Sequence, residues 1–241
     1  MNLELLARRA PGLTMTGLAL AGAAVTLLPG AASAQSPTPA GVLDTEPSTM
    51  DCSAIETDPA SLGAASIYVV DASQSEARYI AEEELANVGA NTAVGTSNTI
   101  SGAFLFDAEG NPIPCSTIYV DVRTFESDSA RRDNFLRGNT LQSDQFPLAE
   151  FVVTSIEDFT MPADGEETTF TLVGNFTLHG VTKTMAWSVT ATRDGNTMTG
   201  SAKTQFDMAD FDIEKPIVGS VLSIEDTIQL EIDLVATNSA S

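Results

Sequence analysis

Hydrophobic and polar residues alternate most cleanly in Leu172–Val189, which reads LVGNFTLHGVTKTMAWSV. Phe170, Leu172, Phe176 and Leu178 share one phase with Gly174, while Thr171, Asn175, Thr177 and His179 take the other. Beyond a polar turn at His179-Gly180-Val181-Thr182, the residues Met185, Trp187 and Val189 repeat the pattern. A period of two places each set on one face of a sheet, so two antiparallel strands are predicted. Gly180 supplies the positive φ that a tight turn needs. The resulting apolar face is large and carries the chain's single Trp. A second sheet, a helix or a ligand has to cover it.

The same period recurs along the chain. Strands are predicted at Ser66–Val70, Thr99–Asp107, Ser116–Phe125, Glu150–Ile156, Thr197–Asp207 and Thr227–Ala236. Ser75–Leu85 reads as helix or strand and is taken as strand; Asn91–Asn98 reads as a polar turn. One helix is predicted, capped by Ser127 or Asp128 and ended by Gly138, with an Asp133–Arg137 pair and with Phe135 and Leu136 facing the sheet. Leu141–Pro147 reads as a loop, and Asp194-Gly195-Asn196 as a hairpin turn. Many short strands at regular spacing with one helix mean an all-β antiparallel sandwich or barrel, a single domain over residues 66–236 followed by a short tail at 237–241.

Charge narrows the partners. The 241 residues carry a formal net charge of −22, which argues against nucleic acid and anionic membrane surfaces. The N-terminus has Arg8-Arg9, an apolar run over Gly17–Pro29 and then Ala32-Ser33-Ala34. This is the pattern of a Sec-type signal peptide over residues 1–34, so a periplasmic or secreted protein beginning at Gln35 is expected. No later apolar run is long enough to span a bilayer, and no stable membrane insertion is expected. Residues 35–65 are rich in Pro, Ser, Thr, Ala and Asp and read as a flexible arm. Cys52 and Cys115 are the two cysteines. In an exported chain they are expected as a disulfide pinning that arm to the domain, at little stability cost if the arm is loose; two buried thiols are the alternative. A metal pair is not expected with a single His and no C-x-x-C.

Three further blocks, in order, resemble one family. Arg132-Asp133-Asn134-Phe135-Leu136-Arg137, followed by Phe146-Pro147 and Phe151, resembles the "RD-x-x-LR … yP" block of the YceI-like family. Leu178-His179-Gly180-Val181-Thr182-Lys183 resembles its "L-T-h-G-v-T-k" hairpin. The stretch from Phe206 to Ile213 sits where the family has "f-x-i-x-x-x-d-F-G-I", with Asp212 in place of Gly. Where relatives carry two His in their first strands, Ser73–Ile80 has none. The resemblance implies an extended antiparallel lipocalin-like β-barrel with one short helix, holding a polyisoprenoid or other long-chain amphiphile, with no catalytic residues and no cofactor. A homodimer is left open.

The interior candidates are Phe104, Ile118, Val120, Val122, Phe170, Leu172, Phe176, Met185, Trp187, Ile228 and Leu230. They are core residues on any reading. An eight-stranded barrel either fills its interior with side chains or holds one ligand, and the resemblance favours the ligand. The rival is a filled β-sandwich that acts as an interaction module without lipid. A hydrolase built on His179 would need a nucleophile for which the sequence offers no signature, and a turn His bonding backbone groups is the simpler reading. The acidic residues Asp207, Asp210, Asp212 and Glu214 read as a solvated face rather than a calcium site. Arg131, Arg132 and Arg137 read as helix ion pairs or as a seat for a ligand's phosphate or carboxylate.

Overall fold

The computed structural model describes residues 40–216 and 221–239. The signal sequence expected at 1–34 lies outside them. The strands are β1 (Gly41–Val42), β2 (Ser66–Val70), β3 (Glu76–Leu85), β4 (Gly89–Ser97), β5 (Ile100–Phe106), β6 (Thr117–Asp121), β7 (Glu126–Ser127), β8 (Leu148–Glu157), β9 (Glu167–Leu178), β10 (Val181–Asp194), β11 (Thr197–Asp207) and β12 (Val221–Asn238). A short helix, α1 (Ala130–Phe135), lies between β7 and β8. Eight strands close into a ring, β2–β5–β6–β8–β9–β10–β11–β12 and back to β2, with every neighbour antiparallel. Closure removes the free edges of the ring. It also excludes the filled sandwich as an architecture.

The barrel is extended on one side. Ala236–Asn238 of β12 pair with β2, whereas Val221–Asp233 pair with β3 along the same strand. β3 then pairs with β4, and β4 with β7. The paths β2/β3, β5/β4 and β6/β7 are therefore halves of long strands with breaks between them. Two of the breaks use one device. Asp71 accepts the Ser73 N–H at 2.9 Å and Asp121 accepts the Arg123 N–H at 2.9 Å. Each caps a 3₁₀ turn, Ala72–Gln74 and Val122–Thr124. The single strand expected over Ser116–Phe125 is broken at Asp121 for this reason.

The hairpin behind the first pattern is tighter than its sequence suggests. Leu178 pairs with Val181 and Thr177 with Thr182, so the turn is His179-Gly180 alone. Both residues have positive φ, 52° and 79°, as a two-residue turn matched to strand twist requires. β4 was expected as a turn because its residues are small and polar. Ala93, Gly95 and Ser97 are nonetheless the buried phase of a strand. Gly95 has no room for a side chain: a Cβ there would lie 2.1 Å from Cε1 of Tyr79 on β3.

The helix is shorter than expected. Ser129 caps it, accepting the Arg132 N–H at 3.3 Å. A π-helical turn, Leu136–Thr140, follows and closes with Leu141 N–H on the Leu136 carbonyl. Gly138 is not a left-handed terminator. Asp133 does not pair with Arg137. It is buried and accepts from Ser127 N–H at 3.1 Å and Ser127 Oγ–H at 2.6 Å. Arg137 donates to the Phe125 carbonyl and to Asn134 Oδ1. Asp133→Ala would leave two donors without their acceptor, so we expect a loss of about 2 kcal/mol in denaturant unfolding. A loss below about half a kcal/mol, the range of an exposed helix pair, would contradict the buried network.

The arm carries attachments over its described part. Gly41 and Val42 pair with Ala186 and Met185 on β10. They lie on the edge that β11 takes farther along, from Ser188 to Asp194. Ser48 and Asn175 exchange two hydrogen bonds, at 2.8 and 2.7 Å. A disulfide joins Cys52 to Cys115. The acidic residues near β11 have local tasks. Asp207 and Asp210 form a reciprocal capping box on the turn Met208–Phe211. Asp212 follows in the left-handed region at φ 52°, which accounts for Gly at this place in the family pattern.

Candidate functional site

Inward-facing residues of the extended half enclose a cavity of about 870 Å³. Tyr79 and Leu85 on β3, Phe176 on β9, Trp187 on β10, and Ile228 and Leu230 on β12 form much of its wall. The bulge in β12 between Ile224 and Ile228 inserts an even number of residues relative to β3. Ile224 therefore stays in phase with Ile228, Leu230 and Ile232, and all four line the cavity. The remaining side is closed by the α1 region, through Arg131, Arg132, Phe135, Leu136 and Leu141. Phe135 and Leu136, expected to face the sheet, face it across this space.

The eleven interior candidates separate into groups. Val120, Val122, Phe176, Trp187, Ile228 and Leu230 line the main cavity. Phe104, Ile118, Phe170 and Leu172, together with Trp187, line a second apolar cavity of about 90 Å³. Met185 lines neither. It is fully buried, in one core cluster with Phe176, Phe206 and Phe211. An inward phase does not by itself decide whether a residue meets space or another side chain.

Polar groups belong to the wall as well. Glu83, 9% exposed, accepts from Arg132 Nη2 at 2.8 Å and from Asn91 Nδ2 at 2.8 Å. Arg132 also bonds Asp128 and Ser127 Oγ. A buried carboxylate is tolerated when it is paired and hydrogen-bonded in this way. Arg132 thereby ties α1 to β3, and through Asn91 to β4. Arg131 is exposed, lines the cavity and makes no ion pair among the described residues. The Tyr79 hydroxyl is buried without a hydrogen-bond partner among the described residues, and burial pushes its pKa up. Its ring edge rests on Phe125.

Tyr79 and Glu83 were not singled out from sequence, whereas Arg131 and Arg132 were, as helix ion pairs or a headgroup seat; both line the cavity, and Arg137, read with them, does not. Glu83 lies in the run Glu82-Glu83-Glu84, which looks uniformly solvated. Only its strand phase, opposite Asn91, turns it inward. His179 Nδ1 lies 3.1 Å from the Phe211 carbonyl, and its ring meets Phe146 edge-on. That is the backbone-bonding turn His expected above. Among the described residues no helix is long and apolar enough to cross a membrane.

This arrangement has counterparts. Residues 68–236 match the YceI-like domain. A UPF0312 protein of Shewanella sp. (strain ANA-3) is 30% identical over 165 residues, covering 66% of this chain and 82% of that protein. A UPF0312 protein of Vibrio vulnificus (strain YJ016) is 27% identical over 171 residues, covering 68% and 85%. Among solved structures, BcnA of Burkholderia cenocepacia aligns with a TM-score of 0.54 at 22% identity, over 70% of this chain and 99% of its own. A polyisoprenoid binding domain from Saccharophagus degradans aligns at 0.55 and 15% identity, over 70% and 97%. At these identities the structural matches establish the fold.

Proposed function

This chain belongs to the YceI-like family, and on that premise we propose that it is exported and holds a polyisoprenoid or similar long amphiphile in the barrel. The observation that carries the reading is the main cavity: about 870 Å³ of largely apolar space with a few charged groups, Glu83, Arg131 and Arg132 among them, in its wall. Such a space suits a molecule with a long hydrocarbon tail and a polar head. Each buried methylene contributes roughly 0.8 kcal/mol, and an apolar cavity holds hydrocarbon in preference to water. The polyisoprenoid binding domain that shares the fold supports the ligand class. The role is that of carrier or store, not catalyst.

The test is organic extraction of the purified protein followed by mass spectrometry. A prenyl or other long-chain amphiphile in stoichiometric amount is expected. Trp187 gives a second readout, because it is the single Trp and lies on the cavity wall. Stripping the lipid is expected to move its emission to longer wavelength, and adding a prenol to reverse the shift. Emission that ignores both steps, with no lipid extracted, would remove the reading. For export, the N-terminus of the protein recovered from the periplasm or medium is expected at or near Gln35. Recovery there with residues 1–34 still attached would contradict cleavage.

A further inference from the structure

Trp187, with Ile232 on β12, lines both cavities, and it is the one of the eleven interior candidates that does so. On the main-cavity side its ring lies 6.1 Å from that of Phe176. On the other side it lies 5.7 Å from Phe151, which lines the small cavity alone. The indole is therefore a partition standing between two apolar spaces. It is 3% exposed, and its N–H has no acceptor among the described residues. No hydrogen bond fixes the ring, which is held by packing alone, although a buried indole N–H normally finds a partner. The space behind it is kept open by small residues: Ala191, Gly200, Ala202 and Ala236 all line the second cavity. At about 90 Å³ it is smaller than the cavity of about 150 Å³ that takes benzene. It would admit about one five-carbon isoprene unit.

We propose that Trp187 sets the longest chain the barrel accepts. The far end of the ligand stops against the indole, and the small cavity is a continuation of the same channel that the indole closes. This rests on the lipid-holding reading above and adds to it a specificity-determining residue. It makes a prediction the general reading does not: removing the indole lengthens the accepted chain rather than only weakening binding. A residue with a merely structural role would lower the affinity for all lengths together.

The experiment is a binding series with delipidated protein and all-trans prenols from farnesol upward, each one isoprene unit longer than the last. In the native chain, affinity is expected to rise with each unit and then stop rising at a limit. Trp187→Leu is expected to move that limit by about one unit. The first prenol beyond the native limit should then bind on the order of a hundredfold to a thousandfold more tightly than it does to the native chain. Trp187→Leu combined with Ala202→Leu, which fills the small cavity from β11, is expected to return the limit to its native place. If Trp187→Leu does not fold, Trp187→Phe is read in the same way. A folded Trp187 variant with the native limit would overturn the proposal. So would a native limit that shortens on Ala202→Leu alone, because the tail would then already pass the indole. Native protein that binds no prenol of any length would remove the lipid reading and this inference with it. Length-dependent binding with an unmoved limit removes the inference alone.

Discussion

Replacing Cys52 and Cys115 by Ser is expected to cost about 4 kcal/mol of stability, from the chain entropy that a bridge across 63 residues removes from the unfolded state. The loop it closes is not a loose arm. It contains β2, β3, β4 and β5, of which β2 and β5 belong to the closed ring. The bridge thus restrains barrel strands as well as the segment that carries Gly41–Val42 onto β10. Equilibrium unfolding in urea, comparing the double variant with the oxidised protein, measures the difference. A change below about 1 kcal/mol would mean that the unfolded chain gains little freedom when the bridge is lost. It would return the bridge to the minor role expected for a flexible arm.

Phe211→Ala is expected to lose about 3–5 kcal/mol. Phe211 has no exposed surface and sits at the end of the turn Met208–Phe211. Its ring meets Phe206 at 5.0 Å and Phe176 at 5.5 Å, both edge-on, a geometry that adds to the value of area burial. Its carbonyl also lies against His179 Nδ1, so the turn bridges β11 to the β9–β10 hairpin. Phe206 and Phe176 line the main cavity, which makes Phe211 their backing. Thermal and denaturant unfolding give the loss, and Phe211→Leu, keeping more of the volume, should lose less. A loss under about 1 kcal/mol for the Ala variant would mean the three rings do not form one packed unit.

The hairpin β9–β10 was legible because alternation and turn chemistry are both local. A period of two assigns faces, and His179-Gly180 marks the reversal. β11 was legible to the residue, since the Gly195-Asn196 turn and a long alternation bound it on both sides. β4 was not. Its inward residues are Ala93, Gly95 and Ser97, whose smallness answers to the Tyr79 ring across the ladder and to nothing in their own neighbourhood. Asp133 was misread because its i,i+4 partner lies beside it in sequence, whereas the donors it serves come from Ser127, before the helix begins. The turn residues that break the long strands, Asp71 and Asp121, are ordinary polar positions until their side chains are seen to fold back on the backbone.

What the sequence by itself determined is the class of the fold and the inward phase of the cleanly alternating strands, because both follow from periodicity and from turns that act over a few residues. The family pattern added closure into a barrel. Tertiary structure alone decided where inward-facing residues meet space. Phe104, Phe176 and Met185 are all inward-facing candidates, yet one lines the small cavity, one the main cavity and one neither. That outcome depends on barrel curvature, on how α1 lies across the extended strands and on the bulk of side chains brought together from distant β11 and β12. Void volume is a sum over long-range neighbours, and no window of sequence contains them.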